Sequence, residues 1–184
     1  TSFNIVRIGT SGSLQADIPV DSYIISSHAL DLNGMLHSYQ IEEIANPEIE
    51  NAFVKHTNWS AKKAAPILIG NHKELEHKLT SKDTFAGITA TAGGFYGPQG
   101  RVLRLNLQDD DLNQKIDSFS YNDHRITNLE METSAIYGLA KLLGHNACSI
   151  SAIMANRANG TFSKSPDKLM ASLISYTLEK LVKI

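Results

Sequence analysis

The chain has 184 residues, 42% hydrophobic and 20% charged, with a net charge of −2, which suits a single domain (1–184) with a substantial core. That balance excludes a general attraction to nucleic acid or to an anionic membrane surface, so any anionic ligand needs a local site. One cysteine, Cys148, excludes an internal disulfide framework, no apolar run approaches transmembrane length, and a reduced, cytoplasmic setting is expected.

Phe3, Ile5, Val6 and Ile8 predict an interior strand running into Gly9-Thr10-Ser11-Gly12-Ser13, small residues that bear hydroxyls. Read as a loop, this stretch lets backbone N–H groups close on an anion while Arg7 adds a fixed positive charge. Read as a plain strand-to-turn junction, it carries no chemistry. Asp21 to Ser27 predicts a second strand. Leu30 to Gly34 is turn-like, and Pro47 with Ile49, Ala52 and Phe53 predicts a short helix. The seven histidines show no ligand spacing, so no metal is expected.

Pro66 to Gly70 predicts a short strand, and Lys73 to Leu79 a charged helix with Leu75 and Leu79 turned inward. Phe85 to Gly94 is a strand of small and β-branched residues that breaks at two glycines. Beyond it lies Phe95-Tyr96-Gly97-Pro98-Gln99-Gly100-Arg101. Such a set suits a flat heterocycle: the ring stacks on an aromatic, Gln99 donates and accepts on adjacent edge atoms, and Arg101 donates to a carbonyl. A surface turn with exposed polar ends is the plainer alternative. Asp109 to Asp111 reads as a solvated turn and helix start.

Thr127 to Asn159 reads as polar entry, helix, Gly144 turn, apolar strand and polar loop. Ala135, Ile136, Leu139, Ala140, Leu142 and Leu143 fall at helical spacing and predict the buried face. Thr127 and Glu130 have capping-box spacing, which makes the Glu130-Met131-Glu132 carboxylates a helix start. They could equally grip the hydroxyls of a sugar while the thioether packs on its ring, and spacing does not decide between the two. Cys148 to Ala155 predicts a strand buried on both faces, ending at Asn156-Arg157, and ligands of open parallel sheets bind beyond such ends. Pro166 to Ile184 predicts a last amphipathic helix with Leu169, Leu173, Ile174, Leu178 and Leu181 inward.

Taken together, Arg7-Ile8-Gly9-Thr10-Ser11-Gly12-Ser13, the Phe95 to Arg101 loop, Asn128-Leu129-Glu130-Met131-Glu132-Thr133 and Ala155-Asn156-Arg157 resemble, in order and spacing, the nucleoside phosphorylases of the uridine phosphorylase type. The resemblance implies a three-layer α/β/α sandwich with a mixed central sheet and reversible conversion of uridine and phosphate to uracil and ribose 1-phosphate. No cofactor is implied, phosphate being a co-substrate. Arg7, Gly9 and Thr10 would hold phosphate, and Thr10, Glu130, Met131 and Glu132 the ribose. Phe95, Gln99, Arg101, Ile153 and Met154 would surround the base. Arg7, Thr10, Arg101 and Glu132 form the catalytic set, acting by orientation and by stabilising charge that develops on the departing base.

Purine-cleaving relatives carry an aspartate at the strand end where this chain has Asn156, so a pyrimidine is favoured over a purine phosphorylase or a nucleosidase. A homo-oligomer, dimer or hexamer, is expected, with no nucleic-acid or membrane partner. The likeness covers the family's C-terminal two-thirds. Its N-terminal portion, which supplies further strands and phosphate ligands, is absent from these residues. They are expected to be a piece of a longer polypeptide, or else a truncated form that binds nucleosides without turnover.

Overall fold

The alternation of the first strand runs straight through its glycines. In a computed structural model, which describes residues 1–182, β1 spans Asn4–Ser13, so the stretch expected to be a hydroxyl-bearing loop is strand throughout. Apolar Val6 and Ile8 pack against one core cluster, while small residues at Gly9, Ser11 and Ser13 keep the opposite face thin. β2 (Tyr23–Asp31) overruns the turn expected at Leu30. α1 (Pro47–Thr57) starts at its proline, with Asn46 accepting from the Ile49 N–H at 3.3 Å. β3 (Ile67–Gly70), α2 (Lys73–Leu79) and β4 (Thr84–Thr91) follow.

α3 (Leu112–Asp117) begins after the three aspartates as expected, and β5 (Ser120–Tyr121) forms a short hairpin with β6 (His124–Glu130). β6 takes in the segment read as a polar helix entry. Thr127 is fully buried in it and donates to the Ile88 carbonyl, so it caps nothing. α4 (Thr133–Leu142) then leads through Gly144, at φ 72°, to β7 (Asn146–Asn156), β8 (Thr161–Phe162) and α5 (Pro166–Val182). The last two positions of the expected final helix lie outside the described residues.

The sheet is mixed, in the order β3-β2-β4-β6-β1-β7-β8. β2, β4 and β6 run parallel, β1 and β7 run parallel, and the two sets meet antiparallel where Gly12 and Ser13 pair with Leu129 and Asn128. Its two ends also meet. The first half of β2, Tyr23 to Ile25, pairs antiparallel with β7, and the second half, His28 to Asp31, pairs with β3, so five strands close into a ring. Helices cover the outside. α1 and α3 pack Phe53 and Ile116 on Leu68, Ile88 and Ile126, whereas α2 and α5 pack Leu79 and Leu173 on Ile150 and Ala152.

Two helix faces depart from expectation. α4 buries Thr133, Ser134, Tyr137, Gly138 and Ala140, and leaves Leu143 68% exposed. α5 buries Leu169, Leu173 and Thr177, and leaves Ile174 and Leu178 exposed. Among the described residues no helix is long and apolar enough to cross a membrane, and no cluster of three or more His, Cys, Asp or Glu side chains is placed to hold a metal.

Candidate functional site

Strand ends position the first group. β4 and β6 stop side by side at Thr91 and Glu130, and α4 starts three residues later, so its first N–H groups point back at the Glu130 carboxylate. Glu130 accepts from the N–H groups of Glu132 and Thr133, both at 2.9 Å, and from Thr91 Oγ1 at 2.7 Å. Thr91 Oγ1 in turn accepts from the Ser134 N–H. Only 4% of Glu130 is exposed, and its oxygens are taken up by the helix start and by Arg7. It anchors the site, with both carboxylate oxygens bonded to the start of α4, Thr91 and Arg7.

Arg7 lies across Gly9, where a Cβ would overlap the guanidinium. Gly9 is thus a strand residue that makes room for an arginine, and no anion-cradling loop forms there. Arg7 Nη2 bonds Glu132 at 2.5 Å and Glu130 at 3.2 Å, and Nη1 donates to Ser151 Oγ at 3.2 Å. Glu132 is 55% exposed in its side chain and has an oxygen to spare, and Met131 beside it is 38% exposed. Thr10 is exposed, and its hydroxyl forms no hydrogen bond among the described residues. Three positions beyond Arg7 on an uninterrupted pairing, it falls by alternation on the strand's other face. Arg7 and Thr10 share no hydrogen bond among the described residues.

The second group gathers around Gln99, which ends a single 3-10 turn at Gly97–Gln99 and is only 3% exposed. Its Oε1 accepts from Arg101 Nη1 and from Arg157 Nη2, both at 2.7 Å, and Arg157 Nη1 also donates to the Gln99 carbonyl at 3.0 Å. Two guanidinium groups on one oxygen fix the amide orientation and leave its NH₂ as the donor that faces outward. Arg101 also lies 3.9 Å over the Phe95 ring, which is 54% exposed. Burial, with Arg101 close by, lowers the Arg157 guanidinium to about 10. The sequence placed Arg157 at a strand end and in the Ala155-Asn156-Arg157 motif without giving it a role, since nothing local marks a partner 58 residues away.

Arg157 Nε would lie 3.5 Å from a Cβ on Gly12, so β1 carries one arginine over each glycine. Between Ser11 and Gly12 the pairing with β7 skips Met154, a bulge that re-aims the strand end carrying Arg157. Of the two expected base contacts, Ile153 is fully buried with Ile18 and Ile24, while Met154 packs toward α5. Arg7 lies over Gly9 and Arg157 against Gly12, three residues further on, so the two polar groups are roughly 10 Å apart along β1 at ~3.3 Å per residue. A void of about 630 Å³ borders Arg101 and touches neither Arg7 nor Glu132.

Residues 2–182 match the family model of the phosphorylase superfamily. The chain belongs to that superfamily. Its mixed sheet and flanking helices agree with solved members: it superposes with a TM-score of 0.84 on a Trypanosoma brucei nucleoside phosphorylase whose structure is described as showing uridine phosphorylase activity, at 23% identity over 98% of this chain and 64% of that one. A Schistosoma mansoni uridine phosphorylase gives 0.65 at 19% identity, over 98% of this chain and 60% of that one. In sequence, the chain is 27% identical to a uridine phosphorylase of Thermococcus kodakarensis and 26% identical to one of Haemophilus influenzae. Those matches take in 97% of this chain but only 57% and 62% of the two relatives, so this superfamily member spans well under two-thirds of their length.

Proposed function

We propose that this chain carries the base- and ribose-recognising part of a uridine phosphorylase, acting on uridine and phosphate to give uracil and ribose 1-phosphate. One observation supports this above the others: the buried Gln99 amide held by Arg101 and Arg157 at 2.7 Å each. A pyrimidine offers carbonyls and an N–H on one edge, and a pre-oriented amide flanked by two cations complements that edge. As the glycosidic bond breaks, negative charge spreads onto the uracil oxygens, and donors fixed in advance hold it more tightly than the ground state. Asn156 supports a pyrimidine over a purine. It is 1% exposed and spends its amide on the Gln15, Ile18 and Asn159 backbone, so no acid stands at that strand end to protonate a purine.

At the other end the Arg7–Glu132 pair offers both halves of a sugar-phosphate contact. Phosphate exchanges for Glu132 on Arg7, and the released carboxylate accepts from the ribose 2′ and 3′ hydroxyls. Two carboxylates already face this one guanidinium, so a phosphate dianion needs further positive charge from outside these groups. A homo-oligomer is proposed on the same ground. The reading is tested by mixing uridine with the protein, with and without phosphate, and following uracil. Uracil release that requires phosphate, and is absent with inosine, supports it; phosphate-independent release, or cleavage of inosine instead, overturns it.

A further inference from the structure

The 630 Å³ void behind the base loop is a second binding site. Its walls are apolar, built from Leu32, Trp59, Leu103 and Leu112 among others, and its size falls in the range of roughly 300–1,000 Å³ that takes small organic ligands. It meets the base loop through Tyr96 to Pro98 and Arg101. Leu103, 67% exposed, and Leu105, 83% exposed, stand at its mouth.

Charge decides what it takes. Three cations line it, Lys63, Arg101 and Arg104, and none of them pairs with a carboxylate among the described residues. Asp109, the one carboxylate in the lining, is held by Lys115 at 2.8 and 2.9 Å and also attracts Lys63, so the lining carries three cations against one shared carboxylate. Lys63 places its ammonium 4.7 Å over the Trp59 ring, and burial lowers its pKa. A half-buried ammonium on the edge of an apolar cavity, with an unpaired guanidinium across from it, leaves an electrostatic deficit that an anion fills. A neutral apolar ligand leaves those cations unmatched, and a cation adds to their repulsion.

We propose that this cavity binds an amphipathic anion, an apolar or aromatic body bearing a single carboxylate, sulfonate or phosphate, with the body against Trp59 and Leu112 and the acid group between Lys63 and Arg104. The cavity shares Arg101 with the base loop, but the acid group is placed on Lys63 and Arg104, and none of Arg7, Gln99, Glu132 or Arg157 belongs to it.

Trp59 is the chain's single tryptophan and lies in the wall, so its emission reports occupancy directly. The probes are 1-anilinonaphthalene-8-sulfonate and its uncharged counterpart N-phenyl-1-naphthylamine, titrated into wild type, the Lys63→Met/Arg104→Met double variant and Arg104→Met alone. The expected result is saturable, one-to-one quenching of Trp59 by the sulfonate. Its Kd rises about tenfold in the double variant and about threefold in the single one, while the neutral probe changes little. Arg104 is exposed and forms no hydrogen bond, so the single variant keeps the test readable should the double variant melt early. The proposal is overturned by the absence of saturable quenching, or by an unchanged sulfonate Kd in the variants. It is overturned also if Trp59 emission of the free protein varies with protein concentration, which gives the cavity to a second copy of the chain.

Discussion

Glu130 and Glu132 are two residues apart and alike in chemistry, yet they do different work. Glu130 closes the start of α4 and is buried under Arg7, so Glu130→Ala takes the acceptor from two helix N–H groups and leaves Arg7 with Glu132 as its one carboxylate partner. A loss of roughly 2–4 kcal/mol in chemical denaturation is expected, in line with removing one partner of a buried charged set. Glu132→Gln keeps the fold within about 0.5 kcal/mol, as expected for an exposed side chain. It should nonetheless cut turnover of uridine more than of deoxyuridine, and equal losses on both would remove the 2′ hydroxyl from its role. Arg157→Met takes one of two cations from Gln99, and uridine kcat/KM should fall about 10- to 100-fold, the worth of one charge-assisted hydrogen bond. His28 titrates against the fold. Burial first, then His124 and Lys73, press its pKa from 6.5 to about 4, with only Glu76 opposing. Between those values the unfolded chain takes a proton that the folded chain refuses, so stability falls as pH drops from 6.5 toward 4. A melting series across that window should show a shallower slope for His28→Gln than for wild type.

α4 ties the site to the sheet through one phenol. Tyr137 Oη donates to the Ser26 carbonyl at 2.7 Å and accepts from the Ser149 N–H at 2.8 Å, so a single buried side chain spans helix, β2 and β7. Tyr137→Phe keeps the ring, takes the side-chain acceptor from the Ser149 N–H and leaves the Ser26 carbonyl with Asn71 Nδ2 at 3.2 Å, and a cost of about 1–3 kcal/mol is expected in urea unfolding. Nothing in the sequence marked that residue as a tie, because its partners lie 111 and 12 positions away. The elements themselves were more legible. Lys73 to Leu79 and Pro47 carried their own helix signals, and the Gly144 turn announced the end of α4. Where the reading failed, tertiary partners overrode local pattern. Gly9 to Ser13 looked like a loop, yet it stays extended because β7 pairs with it along its length and two arginines fill the space above its glycines. Thr127 looked like a cap, yet it lies inside a strand whose hydroxyls and amides bond across Ser11, Thr89 and Asn128. The helix faces failed likewise, since the sheet selected Tyr137 and Thr177 over Leu143 and Leu178.

Closing the sheet by pairing Tyr23 to Ile25 with β7 brings the ends of β4, β6, β1 and β7 to one side of the molecule, and every polar contact of the candidate site arises there. The motifs were legible singly, but their assembly into two groups over the second half of β1 needed the register of that strand and the bulge beside Gly12. Whether the two groups serve one ligand is the central claim, and equilibrium binding tests it without relying on turnover. Uracil and uridine are titrated calorimetrically into wild type, Gln99→Leu and Glu132→Gln. The account predicts that Gln99→Leu abolishes binding of both, whereas Glu132→Gln leaves uracil affinity unchanged and weakens uridine about tenfold, the share of one carboxylate on the ribose. Uracil binding that survives Gln99→Leu, or uridine binding indifferent to Glu132→Gln, would contradict a shared site.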